Sequence, residues 1–471
     1  MIERLHSATI EKEHRMDRPY EGKLAHLVRE EPSLSFLEKF LSHFPDGEVF
    51  LVGGAVRDAI LGCLNKDFDF VVRSIPRKKL EVWLKENGRV DLVGSRFGIY
   101  KFLPHGFETG QPIDIALPRT EHSTQDSLGG ARDIETQSNE SLPVETDLSR
   151  RDFTFNAMAF EVRTARMVDP FEGMKDLEKR LIRAVGEPEA RFREDLSRLL
   201  RAIRFASQLG CEIEAETWKA LCEKMPEITK KRVRNGKTED VVPRDVIGKE
   251  FAKALKADPA KTVKLYEESG AIRSLLPFLQ KILETESEAY VKPFQKKPLS
   301  LAATAALLLR GIPFTEMGAS LSACGLSLQP RKEPTRIEAG DVGWIAMHLQ
   351  EKKLPDPQSI RASEFEKTYF SDRGNALLEA LAALQKTIFV KAVQDRMKEM
   401  QKRLGLAPGE SFPPLLISGN DVVAQGIAPG PDVRFTLLDL RDAQLEGWVK
   451  TRTEALAYLK KISQKSRDQT S

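Results

Sequence analysis

Residues 48–72, EVFLVGGAVRDAILGCLNKDFDFVV, decide how the chain is read. EVFLVGG (48–54) is a short apolar strand ending in a glycine turn, and AVRDAILG (55–62) opens a helix. FDFVV (68–72) is strand-like again. Side chains on an extended segment alternate between faces, so Asp67 and Asp69 point one way and Phe68 and Phe70 the other, into a core. Two carboxylates one strand step apart can hold two divalent cations. Such a pair activates an attacking hydroxyl and neutralises a departing pyrophosphate. An isolated Asp-x-Asp is common on solvated edge strands, so the neighbouring residues have to decide.

They favour chemistry. Gly53 and Gly54 lie between strand and helix, where backbone N–H groups can face a triphosphate. Arg57, on the first helical turn, adds a charge suited to phosphates. IYKFL (99–103) and PIDIAL (112–117) are two further strands, and the second carries another acid, Asp114. Strand, glycine turn, helix, Asp-x-Asp strand and a later acidic strand is the layout of a polymerase-β-like nucleotidyltransferase head.

The rest of the chain sets the frame. Its 471 residues suffice for several domains. Lys+Arg is 73 and Asp+Glu is 70, a balance that neither demands nor excludes nucleic acid. Cys63, Cys211, Cys222 and Cys324 show no CxxC spacing, which suits reduced thiols. The N-terminal stretch is charged throughout, and no run approaches the ~18 apolar residues of a membrane span. The expectation is a soluble, cytoplasmic protein. Ser33 is expected to cap a helix over 33–44. Strand and helix mix over 45–170, and after Asp169 the pattern is helical. The stretch from Glu121 to Asp147 is polar, glycine-containing and poor in apolar residues, so it reads as a mobile loop. Residues 227–245 read as an exposed charged insertion, and GIAPGP (426–431) as a turn between two helices.

Four motifs in order carry a family resemblance: LVGGAVRDAILGCLNKDFDFVV (51–72), DLSRRDFTFNAMAF (147–160), DPFEGMKDLEKRLIRAV (169–185) and REDLSRLLRAIRFASQLG (193–210). Over residues 48–280 the chain resembles the class II tRNA nucleotidyltransferase and bacterial poly(A) polymerase group. The chain is expected to be α+β: an N-terminal extension (1–32), the nucleotidyltransferase head (33–186), an all-α neck (187–284), a helical body (285–400) that matches nothing in the family, and a helical tail (401–471). The resemblance implies that Asp67 and Asp69 bind two magnesium ions, with Asp114 completing the acidic set. Gly53, Gly54 and Arg57 would contact the nucleotide, and Arg151 its phosphates. Asp152 and Asn156 would place the ribose and triphosphate.

Glu194, Asp195 and Arg198 are expected on one helix, with 195 and 198 neighbours on its face. In the family the aspartate and arginine of this motif act as a protein template for the incoming base. A carboxylate accepts from the exocyclic amine that C and A share, and a guanidinium donates to the adjacent ring nitrogen or carbonyl. The keto groups of G and U meet the wrong partner, leaving buried polar groups unpaired. Arg201 and Arg204 would continue that face toward the triphosphate or RNA.

Family members differ in product: CCA, CC, A alone or a poly(A) tail. The long polar stretch after Glu121 disfavours a CC-only member, because those look shortened there; in the family this loop lets the base pocket change from CTP to ATP. DIALPRTE (114–121) resembles the CCA-adding pattern. The implied function is CCA addition to the tRNA 3′ end from CTP and ATP. The alternatives are an A-adding enzyme, a poly(A) polymerase or, in another class, an inactive RNA-binding module. PRDVIGKEF (243–251) departs from the family pattern, with Val246 where arginine is usual. No His-Asp dipeptide occurs, which argues against the phosphohydrolase domain of some relatives. The tail resemblance, residues 415–460, implies contact with the tRNA elbow, with plain helix packing as the alternative.

Overall fold

The computed structural model describes residues 19–63, 67–93, 98–124, 126–234, 236–295, 299–325, 339–350, 354–407 and 410–468. The chain divides into two compact units, Met1–Pro277 and Phe278–Ser471.

The first unit is built on strands β1 (Glu48–Val52), β2 (Asp69–Arg73), β3 (Gly88–Val93), β4 (Ile99–Pro104) and β5 (Ile113–Ala116). A separate ribbon, β6 (Arg119–Ser123) with β7 (Ile134–Ser138), precedes β8 (Ala159–Glu161) and β9 (Arg166–Val168). Among the described residues the main sheet has the order β3-β4-β5-β2-β1-β8-β9. β2 and β5 run parallel, while β1 is antiparallel to both β2 and β8. β1 and β2 are central, which accounts for their near-continuous apolar runs: Val49 to Val52 and Phe70 to Val72 are all buried. Phe50, Val52 and Val71 pack with Val144, Leu148 and Ala157 in the core.

Register fixes the chemistry of one face of this sheet. Asp69 stands opposite Asp114 on β5, and Asp114 stands opposite Lys101 on β4. Paired positions share a face, so the three side chains form one rung. Asp67 immediately precedes β2 and keeps the alternation: Asp67 and Asp69 are exposed, Phe68 and Phe70 buried.

Beyond the sheet the first unit is mostly helical, with short pairings β10 (Leu181–Ile182) with β11 (Glu212–Ile213) and β12 (Lys231–Arg234) with β13 (Lys237–Asp240). The Ser197–Leu209 helix packs against Arg244–Ala257. In the second unit the Leu301–Leu309 helix, LAATAALLL, is buried from Ala303 onward and packs on Ala339–Gln350 and Asp372–Ala383. Near the C-terminus Ile417, Val422, Leu440, Val449 and Leu459 form a separate cluster. The GIAPGP turn lies between the Gly419–Ala424 and Pro431–Leu445 helices, as expected. The chain is thus α+β, a mixed-sheet head followed by helices.

Three local expectations need correction. Ser33 caps no α-helix: it sits inside the 3-10 turn Pro32–Leu34, its N–H and hydroxyl both donate to Glu31 Oε1, and the helix begins at Phe36. The stretch after Glu121 is not loop throughout, because Arg119–Ser123 pairs antiparallel with Ile134–Ser138 on either side of a connection. The charged insertion is likewise an antiparallel hairpin. Of the N-terminal extension, residues 1–18 lie outside the described residues. Pro19–Glu30 is a helix whose Leu24 is buried and whose Glu21 accepts from the Met167 N–H.

Candidate active site

The central strands β1, β2 and β5, the Thr154–Asn156 turn and the Ser197–Leu209 helix enclose a cleft of about 680 Å³. It is lined by Gly53, Gly54, Arg57, Asp67, Asp69, Asp114, Arg151, Asp152, Asn156, Asp195, Arg198, Arg201 and Arg204. Every candidate site residue read from the sequence is therefore in one place. Lys101 reaches the rung from β4, and the cleft gains Arg119, Glu121, Arg150, Ser197 and Phe205, none of which was picked out.

At the acidic end, Lys101 Nζ donates to both Asp114 oxygens, at 2.9 and 3.3 Å. Asp69 opens to the cleft but has protein densely around its other sides. That burial, with the neighbouring carboxylates of Asp114 and Asp67, pushes its pKa up to about 6 against the opposing charges of Arg151 and Lys101. Carboxylates crowded so that one is held partly protonated are a donor set that a hard divalent cation relieves. No three His, Cys, Asp or Glu side chains among the described residues lie close enough to hold an ion by themselves. Asp67 and Asp69 line the cleft side by side, and Asp114 beside them is engaged by Lys101.

Gly53 explains the glycine turn. Its φ is +71°, and a Cβ there would lie 2.7 Å from Arg151 Nη1 and 3.8 Å from Asp69 Oδ2. The missing side chain admits the guanidinium beside the acids. Arg151 is otherwise tethered to the fully buried Asp147 (3.2 Å) and the Asn156 carbonyl (3.3 Å). Its Nε, like that of Arg119, is buried without a hydrogen-bond partner among the described residues.

The cleft's middle is a relay. Arg57 donates to Asp58 (2.7 Å) and to Asn156 Oδ1 (2.8 Å); Asn156 donates to Asp152 (3.1 Å). Asp152 Oδ2 accepts from Arg201 Nε (2.9 Å) and Nη2. Burial works to raise the Asp152 carboxyl, but Arg201 and the Asn156 hydrogen bond overcome it, leaving a pKa of about 2. Phe205 lies beneath three guanidiniums, those of Arg57, Arg201 and Arg204, at 5.2, 5.7 and 3.9 Å. Arg204 is turned toward Glu250 and Gln208.

The expected single helix through Glu194, Asp195 and Arg198 does not exist. One helix, Pro188–Glu194, ends there; Asp195 is extended (φ −148°, ψ 103°), and a second begins at Ser197. Asp195 Oδ1 accepts from the Ser197 N–H at 2.9 Å, bracing the joint against the second helix's first residue. Its other oxygen has no hydrogen-bond partner among the described residues. Arg198 is 6% exposed and donates to Glu194, the Arg191 carbonyl and the Arg150 carbonyl. A guanidinium has five N–H donors, so Nε–H and one Nη2 hydrogen have no such partner. One open carboxylate oxygen and two open donors sit at the joint between the helices.

Residues 49–183 match the family model of the poly A polymerase head domain. A CCA-adding enzyme of Geobacillus thermodenitrificans is 38% identical over 184 residues, 38% of this chain and 41% of that enzyme. The chain thus spans about two-fifths of that relative's length. A CCA-adding enzyme of Limosilactobacillus reuteri is 29% identical over 417 residues, covering 87% of this chain and 91% of that one. In fold, the chain is similar to the Bacillus stearothermophilus CCA-adding enzyme solved with CTP: TM-score 0.66, 23% identity, 94% of this chain and 100% of the other.

Proposed function

From the match of residues 49–183 to the poly A polymerase head domain, we propose that the chain adds C, C and A to tRNA 3′ ends without a nucleic-acid template. The observation that carries this reading is one cleft holding both the Asp67–Asp69 pair and the Asp195–Arg198 joint. A metal-dependent transfer site alone would suit any nucleotidyltransferase. The second pair adds base choice, since its open acceptor and donors match the amine and adjacent ring position common to C and A.

In this reading CTP and ATP are the substrates. Asp67 and Asp69 would hold two magnesium ions, which supply activation of the RNA 3′-hydroxyl and charge neutralisation on pyrophosphate. Asp114, fixed by Lys101, completes the acidic wall. Gly53 and Gly54 bring backbone close to the triphosphate, and Arg57 and Arg151 offset its charge. Asp152 and Asn156 orient the ribose. Arg201 holds Asp152 in register. Arg204, turned toward Glu250, acts by fixing the helix against Arg244–Ala257 rather than by meeting phosphate. We assign the chemistry to residues 33–186, base choice to 187–284, a helical body to 285–400 and contact with tRNA to 401–471. No described helix is long and apolar enough to cross a membrane. The proposed substrates place the activity in the cytoplasm.

The test is incorporation into a tRNA lacking CCA, with CTP alone, ATP alone and both. Two C additions followed by one A are expected. Incorporation of ATP but never CTP would make the chain an A-adding enzyme, and a long ATP ladder on any RNA a tailing enzyme. RNA binding with no incorporation would leave an RNA-binding module.

A further inference from the structure

We propose that Arg232, on the charged hairpin and outside the cleft, is a positioning residue that sets nucleotide choice through Asp133 and the Gly129–Leu196 hydrogen bond. The inference rests on the function proposed above.

The hairpin KKRVRNGKTED reads from sequence as a solvated charge run. In the structure its alternation is reversed. Val233 is 73% exposed, while the Arg232 side chain is 11% exposed. An inward arginine on a two-stranded ribbon is costly unless paired. Arg232 is paired twice: Nη1 donates to Asp133 Oδ1, and Nε donates to Glu239 Oε1 at 2.8 Å. Glu239 lies on the same hairpin, so that contact only holds the arginine in place. Asp133 lies on the other ribbon, in the turn between β6 and β7.

Asp133 organises that turn. Its Oδ2 accepts from the Gly130 and Leu128 N–H groups at 3.2 and 3.3 Å, and the residue is 7% exposed. Between these two amides stands Gly129, at φ +90°. Its carbonyl accepts from the Leu196 N–H at 2.8 Å. Leu196 is the residue between Asp195 and Ser197, at the joint of the two helices. A Cβ on Gly129 would meet Leu196 Cγ at 2.8 Å and the Arg193 carbonyl at 3.1 Å, so the turn and the joint touch directly.

A contiguous path thus runs from Arg232 to Asp133, to the 128–130 turn, to Leu196 and to Asp195. The Leu196 N–H follows a residue with extended backbone, so the intrahelical ladder does not supply its acceptor. Gly129 does, and Arg232 holds Gly129 through Asp133. The charged insertion is then a strut behind the base-choosing joint, and its removal would let Asp195 drift without touching the acids.

The experiment compares the full chain with Arg232→Ala, Arg232→Lys and Glu239→Gln. Discrimination is read as kcat/KM for CTP over UTP, and hydrogen exchange is followed at the Leu196 amide. Arg232→Ala is expected to lose discrimination by about tenfold, the scale of a sub-ångström misplacement, and to speed exchange at Leu196 but not in β1. Arg232→Lys should restore much of the discrimination, and Glu239→Gln should behave nearly as the parent. Unchanged discrimination or unchanged Leu196 exchange in a folded Arg232→Ala overturns the proposal. Should that variant not fold, Asp133→Asn, which keeps an acceptor for the turn amides but loses the ion pair, is judged by the same two readings. Failure of the parent chain to incorporate CMP and AMP overturns the functional reading, whereas the Leu196 exchange arm judges the strut without it.

Discussion

Arg201 and Asp152 are joined by two guanidinium N–H groups on a single carboxylate oxygen, tying the Ser197–Leu209 helix to the turn that carries Asn156. The folded Asp152 carboxyl titrates near 2, below the unfolded value of about 3.9. A depressed folded pKa means that the stabilisation is complete above the unfolded pKa and is lost as pH falls through the folded one. Stability should therefore drop between pH 4 and pH 2 by on the order of 2 kcal/mol from this group. Asp152→Asn should flatten that part of the curve, measured by denaturant midpoints against pH. An unchanged slope would refute the assignment.

Asp69 has the opposite sign. Its pKa is raised to about 6 in the metal-free chain, so its contribution is present below the unfolded carboxylate value and lost as pH rises through 6. Ionised Asp69 beside Asp67 and Asp114 is what a cation relieves. Magnesium should raise the thermal midpoint more at pH 8 than at pH 5, and Asp69→Asn should remove the difference. Equal shifts at both pH values would argue against magnesium at this carboxylate.

Asp67→Ala and Asp69→Asn should each cut nucleotide incorporation on the order of a thousandfold or more, while tRNA binding by filter retention stays near the parent value. Retained incorporation in either variant would sink the two-ion reading.

Gly53→Ala places a Cβ 2.7 Å from Arg151 Nη1 on a backbone at φ +71°. Strain of this kind costs about 1–3 kcal/mol, and relief requires Arg151 to move off the acids. The expected result is a lower thermal midpoint together with a higher KM for CTP. A rise in KM without loss of stability would mean that the backbone adapts.

Asp195 both holds the Ser197 N–H and presents an open oxygen, so its two roles separate by substitution. Asp195→Asn keeps an acceptor for the Ser197 N–H but turns the open acceptor into a mixed donor and acceptor. It should relax CTP-over-UTP choice with little change in stability. Asp195→Ala should add the loss of that hydrogen bond, about 1 kcal/mol. If choice survives both changes, the carboxylate does not read the base.

The head was legible because its signals are local. Phe68 and Phe70 alternate with Asp67 and Asp69, and the glycine turn marks where strand becomes helix. The joint at Asp195 was not legible, because REDLSRLLRAIRF keeps helical periodicity straight through it. What breaks it is the Gly129 carbonyl, distant in sequence, capturing the Leu196 N–H. The β6–β7 ribbon was read as a loop because polar residues occupy both of its faces; its order comes from ion pairs such as Arg150 with Glu121 and Arg232 with Asp133. Lys101 was hidden for a simpler reason. A lone lysine in IYKFL signals nothing until register sets it opposite Asp114.

That lysine has a consequence for how the protein matures. Because an ammonium from the neighbouring strand already sits against the acidic rung, the fold carries its own counter-ion. Folding at this rung then needs no divalent cation, and on the two-ion reading chelators should silence the protein without unravelling it. On that reading assembly and activation are separate events, the first written in the chain and the second left to the ionic composition of its surroundings.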